Sequence, residues 1–219
     1  MKKLIISCAV VMTAVCAQAQ LFVGGTLGFD YTAGKTVAGS ITEKGDATIT
    51  IEFSPMVGFS ISDNFAVGVQ AGIGLISTND RATEPKKDNT TFWEFAPFAR
   101  YTLVSSGDFS LLAEGSLGLY GKTGKTTRGG VSTDDPSTVG FGLSVMPIVS
   151  YSMTERLSLE LRPNLFKFAL GLETTKAPGS SDYKDVDTFF GFGANPSTLP
   201  LVYRLSNLSF LEVGMIFKF

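Results

Sequence analysis

Histidine is absent from the 219-residue chain. Without an imidazole base there is no Ser-His-Asp triad and no Asp-His pair, which argues against the hydrolytic and lipid-modifying chemistries built on them. Cysteine is nearly absent: Cys8 and Cys16 are the two present, both near the N-terminus. With no histidine and no later thiol, a zinc site lacks its usual ligands, and no metal or cofactor is expected. Charge is also scarce, at 17% of residues with a net of −2, so bulk electrostatics do not favour nucleic acid. Beyond the N-terminus no apolar run approaches the roughly 20 residues of a membrane-spanning helix. Yet glycine (24) and phenylalanine (18) are plentiful. A fairly apolar chain with no spanning helix is either a soluble β protein with a large core or a transmembrane β-barrel.

The N-terminus reads as an export signal. Met1-Lys2-Lys3 is basic, Leu4 to Val15 is apolar, and Ala17-Gln18-Ala19 is an A-x-A cleavage site. This predicts a signal peptide over 1–19, cleavage between Ala19 and Gln20, and one β-barrel domain over 20–219. Both cysteines leave with the peptide, so the mature chain enters an oxidising compartment without a disulfide. A lipoprotein would acylate Cys16, but Thr13-Ala14-Val15 before it fits that poorly.

Period-two alternation predicts eight strands, near 21–31, 47–61, 65–77, 91–103, 109–121, 138–153, 157–170 and 208–219. Tight turns fall at Ser62-Asp63-Asn64, Ser105 to Asp108 and Thr154-Glu155-Arg156, alternating with longer polar stretches at Thr32–Asp46, Thr78–Thr90, Lys122–Ser137 and Gly171–Lys184. That is an up-and-down antiparallel barrel with short turns at one end and long loops at the other. The segment 185–207 either extends the last pair or adds a hairpin, so ten strands is the alternative. The hairpin "PMVGFSISDNFAVGV" (Pro55–Val69) has a position-by-position echo in "PIVSYSMTERLSLEL" (Pro147–Leu161), with a looser copy from Pro97. Proline removes a ladder donor, so each predicts a bulge or a local break.

One face of these strands is large and apolar, with aromatics near both ends. Phe59, Phe65, Tyr101, Phe109, Tyr151, Phe217 and Phe219 lie by the short turns; Phe29, Tyr31, Phe53, Trp93, Phe95 and Phe141 lie towards the loops. The other face is Gly, Ser, Thr and Ala with isolated charges. Small residues suit a narrow interior and not a solvated exterior, so the apolar face is read as meeting lipid between two aromatic belts. A soluble periplasmic binding barrel is the competing reading. Parity then sends Glu52, Glu94, Arg100, Glu114, Glu160, Arg162, Glu212 and Lys218 inward. Arg100 and Glu114 can face each other across neighbouring strands, and Glu160, Arg162 and Glu212 share a level. Buried charges must be paired or hydrated, which predicts a salt-bridged plug, or else a small ion-conducting pore lined by the same residues.

Three Gly-Lys-Thr triplets occur, at Gly34, Gly121 and Gly124. A phosphate-binding loop needs a glycine five positions earlier, where Phe29, Ser116 and Leu119 stand, so all three fail. Asp134-Asp135 is read as solvated loop and not as a Ca²⁺ site.

The export signal, the repeated Pro-x-Val/Ala-x-Phe/Tyr hairpins, "APFARYTL" and the closing "EVGMIFKF" together resemble the outer-membrane β-barrel domain family of Gram-negative envelopes, with its small OmpA/OmpX-type barrels. The resemblance implies an eight-stranded monomeric barrel in the cell outer membrane, in contact with bilayer lipid and lipopolysaccharide. It also implies export with periplasmic chaperones and insertion by the barrel-assembly machinery, with Met215, Phe217 and Phe219 as the C-terminal insertion signal. It fixes no biochemical activity, and the absence of histidine leads to the expectation that the chain is not an enzyme.

Overall fold

The computed structural model describes residues 20–38, 41–80, 86–163, 167–179, 184–193 and 211–219. The expected signal peptide with Ala19, the expected strand residues Asn164 and Leu165, and 194–210 lie outside them. The described residues form strands β1 (Gln20–Ala38), β2 (Ile41–Ser62), β3 (Phe65–Asp80), β4 (Lys86–Ser106), β5 (Phe109–Arg128), β6 (Val131–Asp134), β7 (Ser137–Ser152), β8 (Leu157–Pro163), β9 (Lys167–Lys176), β10 (Lys184–Gly193) and β11 (Leu211–Lys218). There is no helix among them.

Neighbouring strands pair antiparallel from β1 through β5 to β7, then to β8, then to β11, and β11 closes on β1. This is a ring of eight strands. β9 continues the line of β8 along β7, and β10 pairs with β9, extending the last hairpin without widening the ring. Closure removes the open edges that an exposed sheet would carry.

The strands run tilted. One level of pairing leads from Leu161 through Val213, Leu27, Phe53, Ile73, Trp93, Gly121 and Val139 to Thr174. The circuit returns to the β8–β9 line thirteen residues further along it. Such stagger is the geometric condition for closing a narrow barrel, and it sets the tilt.

One expectation is corrected. The polar stretches read as loops are largely strand: β1 and β2 pair up to Ala38↔Ile41, β4 pairs with β5 up to Lys86↔Arg128, and Gly171–Lys176 belongs to β9. The reason is local. Polar side chains bond across strands here, Thr48 to Thr78 at 3.0 Å, Ser77 to Asn89 at 3.0 Å, Thr127 to Ser132 at 2.8 Å and Thr138 to Thr175 at 3.0 Å. Cross-strand hydroxyl pairs support a ladder as apolar pairs do. Loss of apolar alternation therefore marks where the surrounding medium becomes water, not where the strand ends.

The prolines do interrupt the ladder, each on one side. Pro55 pairs with Gly25, but the β2–β3 pairing lapses between Phe53↔Ile73 and Met56↔Gln70. Pro97 pairs with Val69, while the β4–β5 pairing lapses between Phe95↔Leu119 and Phe98↔Ser116. Pro147 pairs with Ala113 and lies where β7 passes from β8 to β9. The two lapses keep register, because the missing donor removes one bond and adds no residue. At Pro147 the partner does gain residues: Val149 faces Leu161, yet Val145 faces Phe168.

Candidate functional site in the barrel lumen

The inner face is filled from the short-turn end upward. Phe22, Met56, Phe98 and Ile216 form a buried apolar cluster with Ala66 against it. Several inward aromatics lie directly over a glycine on the neighbouring strand: Phe22 over Gly58, Phe98 over Gly68, Phe92 over Gly74 and Tyr120 over Gly140. At Gly74 a Cβ would come within 1.8 Å of the Phe92 ring. The glycines therefore make the room in which the rings lie across the lumen. Sequence reasoning missed Phe22, Phe92, Tyr120, Ile148 and Ile216 as interior residues. Their signal is an apolar residue at an inward position, which breaks the alternation and hides inside an apolar run.

On the apolar cluster stands a charged one. Arg100 donates from Nε to Glu114 at 2.6 Å and from Nη1 to Glu160 at 2.9 Å. Arg162 donates to both Glu114 oxygens at 3.2 Å and to Gln70 Oε1 at 3.2 Å. Its Nη2 also stands 3.5 Å from Glu160 Oε2, an ion-pair contact and not a hydrogen bond. Glu114 thus holds both guanidiniums, and Glu160 bridges them from β8. The Met56 sulfur lies between the arginines, 3.0 Å from one and 3.6 Å from the other. The Arg100 guanidinium also faces the Phe98 ring at 4.6 Å, a cation–π contact. Glu212 is the register partner of Arg162 on β11, and Glu52 lies buried on β2 with the Ser54 hydroxyl 3.5 Å away. Glu94 is half-buried on β4, its carboxylate over Gly118. Lys218 stands at the short-turn mouth. All seven residues expected in the network therefore point into one lumen, and Arg100, Glu114, Glu160 and Arg162 are in direct contact.

Small cavities lie on either side of this contact. Below it a cavity of about 150 Å³ opens at the short-turn end, ringed by serines that include Ser60, Ser110, Ser150 and Ser158. Above it, between Gln70, Glu94, Ser144 and Glu212, about 20 Å³ is free, room for one water. The arginines and glutamates that separate the two are at least 96% buried. Removing one partner of such a buried pair strands a charge and costs about 3–5 kcal/mol.

The outer wall has the opposite character. Leu27 and Ile73 are 63% and 62% exposed, Leu117 is 50% exposed, and Val145 and Met215 are open beside them. Exposed apolar side chains recur at alternate positions around the ring, far beyond the isolated patches of a soluble monomer. Aromatics border this band. Phe109 packs on Tyr151 with ring centres 4.8 Å apart and Phe217 meets Phe219 edge-on at 5.1 Å by the short turns. Phe29, Trp93, Phe95 and Phe141 are exposed at the other margin. A closed wall that is apolar outside, polar and charged inside, is solvated by lipid. The chain is a transmembrane β-barrel.

The barrel is similar to a major outer membrane protein from Thermus thermophilus (TM-score 0.46, 11% identity, 92% of this chain and 99% of that one). It is also similar to Neisserial surface protein A (TM-score 0.41, 12% identity, 91% and 97%) and to the attachment invasion locus protein Ail of Yersinia pestis (TM-score 0.38, 10% identity, 92% and 97%). No family profile and no curated protein matches the sequence.

Proposed function

We propose that this barrel is a non-enzymatic, monomeric protein of the cell outer membrane, with a lumen closed by its own side chains and a surface role carried by the long hairpins. The observation that carries the closed reading is the Arg100–Glu114–Arg162–Glu160 contact, which spans the lumen between two small cavities. On this reading the hairpins face outward towards lipopolysaccharide and the short turns face the periplasm. Ala19 and Gln20 flank the signal cleavage point, and Met215, Phe217 and Phe219 form the sequence read by the barrel-assembly machinery after chaperone escort. A small ion-conducting pore is the second reading, favoured by the surplus of carboxylates: Glu52, Glu94, Glu114, Glu160 and Glu212 face two arginines.

Conductance in planar bilayers separates the two. The closed reading expects no steady single-channel current from the wild type, and leak in Arg100→Gln or Glu114→Gln. Steady wild-type currents that those substitutions abolish would establish the pore instead. Carbonate washing tests the membrane reading beside it: an integral barrel stays with the membrane and shows heat-modifiable mobility on unboiled gels.

A further inference from the structure

Beyond the apolar band, towards the long hairpins, the described strands from β3 to β10 carry outward charges almost all of one sign. Register and period two point Lys87, Lys125, Lys176 and Lys184 outward, with Asp134 the one acid among them. Asp134 is taken by Lys125 at 3.5 Å. Asp185 and Asp187 follow Lys184 along β10 but take the inner face, where Asp187 pairs with Glu173. Lys176 and Lys184 are register partners, so two exposed lysines stand side by side on the outer face. Neither forms an ion pair or hydrogen bond with a described residue. Like charges directly opposite one another destabilise a sheet. On its other side Lys176 faces Ser137 of β7. A groove of about 680 Å³ lies over this face, lined by Thr91, Thr123, Lys125, Ser137 and Lys176. Asp135 also borders it, but its carboxylate accepts from the Thr126 hydroxyl at 2.8 Å.

The groove continues the lipid wall. The outward positions of β9 run Leu170, Leu172, Thr174, Lys176, and those of β7 run Leu143, Phe141, Val139, Ser137. Lys176 stands two outward steps beyond Leu172, about 13 Å along the strand. The tilt reduces this to about 10 Å above the last aliphatic side chain, within reach of headgroups when a lysine bends back towards the wall. A soluble anion would meet the lysines alone. An amphiphile meets both surfaces: its phosphate accepts from Lys176, Lys184 and the Ser137 hydroxyl, and its chains lie along the exposed Leu172 and Phe141. Two neighbouring ammonium groups match a phosphomonoester, which carries about −1.5 to −2 at neutral pH, better than a zwitterionic headgroup, which brings a cation of its own. We propose that Ser137, Lys176 and Lys184 form a docking site for the phosphomonoester headgroup of a membrane lipid. The site rests on the reading of the wall as a membrane surface, and it gives the outward-facing hairpins a partner of defined charge.

The experiment uses the refolded full barrel in detergent micelles, with retained molecules counted by native mass spectrometry. The probes are phosphatidic acid, phosphatidylcholine with the same chains, and glycerol 3-phosphate as the chain-free phosphomonoester. Phosphatidic acid is expected to be retained about tenfold over both, in line with two basic residues at a membrane surface. Lys176→Gln combined with Lys184→Gln is expected to reduce that preference to about twofold or less, while Lys87→Gln, which leaves the pair intact, keeps it. All three substitutions exchange exposed side chains, and folded mobility on unboiled gels confirms the barrel in each variant. A wild type that retains phosphatidic acid no better than phosphatidylcholine overturns the proposal, as does full preference in the folded double variant. Glycerol 3-phosphate that binds as well as the lipid assigns the lysines to a soluble anion and overturns it too. The wild-type comparison among the three probes decides the matter even where a variant does not refold. Carbonate washing reports separately on the membrane reading, so a barrel that stays with the membrane yet shows no lipid preference sinks the docking site alone.

Discussion

At the scale of single residues, the interior is organised by pairs of unequal size. Four inward aromatics each use the space of a facing glycine, and outside the same device sets Trp93 over Gly121. The benefit is shared: the ring covers backbone that glycine leaves bare, and glycine admits a ring where the lumen is narrow. Gly74 is the most demanding, since its missing Cβ would sit inside the Phe92 ring. Gly74→Ala is therefore expected to cost roughly 1–3 kcal/mol in urea unfolding from lipid vesicles, as overpacking does. Adding Phe92→Leu should recover most of that loss. A double variant no more stable than Gly74→Ala alone would show that the ring is not what the glycine accommodates.

At the scale of the element, the long strands pass from one solvent into another without breaking. Within the band their outward residues are Leu, Val, Ile and Phe; beyond it Thr, Ser, Asn and Lys continue the same ladder. Asp88 shows how the extension is held. Burial acts to raise its pKa, but the hydrogen bonds from Lys86 at 2.7 Å and Thr126 at 2.8 Å, with the nearby Lys86 and Arg128 charges, prevail and hold it below the ordinary carboxylate range. A carboxylate held low when folded adds stability that is present above its unfolded value of about 3.9 and is lost as pH falls through the lower folded value. Amide protection over Lys86–Asn89 and Thr126–Arg128 is therefore expected to hold between about pH 6 and about pH 4 and to fall below that window. Asp88→Asn should remove the dependence. Equal acid sensitivity in the variant would assign the effect to another group.

At the scale of the whole molecule, the wall is an inverted protein, with its polar groups enclosed and its apolar groups outside. The cost of a charge on the wall should then depend on depth. Leu143 pairs between Leu117 and Leu170 in the aliphatic band, whereas Thr123 is exposed just beyond the level of Trp93 and Gly121. Leu143→Arg is expected to cost roughly 2–4 kcal/mol and Thr123→Arg no more than about 1 kcal/mol, read from unfolding in vesicles of one lipid composition. Equal costs would mean that the band does not sit in hydrocarbon. Trp93, the single tryptophan, gives a direct check, because lipids brominated near the headgroup should quench it more than lipids brominated at the chain ends.

Much of this was legible from parity alone. A strand side chain points to one face or the other with period two, so Glu52, Glu94, Arg100, Glu114, Glu160, Arg162 and Glu212 were assigned inward from the sequence, as were the wall and both aromatic belts. The pairing of Arg100 with Glu114 followed from counting out from their shared turn. Parity cannot reach distances between strands that are remote along the chain. Arg162 reaches Gln70 and Glu114, and Glu160 reaches Arg100, only because the ring closes with a stagger that brings β8 round to face β3, β4 and β5. Strand ends were misjudged for a related reason. Local polarity reports the solvent around a residue, while strand length depends on whether a partner strand continues beside it. The sequence by itself determined the faces, the turns and the lipid-facing character of the wall, because each is a property of neighbours along the chain. Closure alone decided which charges meet and which rings cover which glycines, because both depend on strands that are remote along the chain.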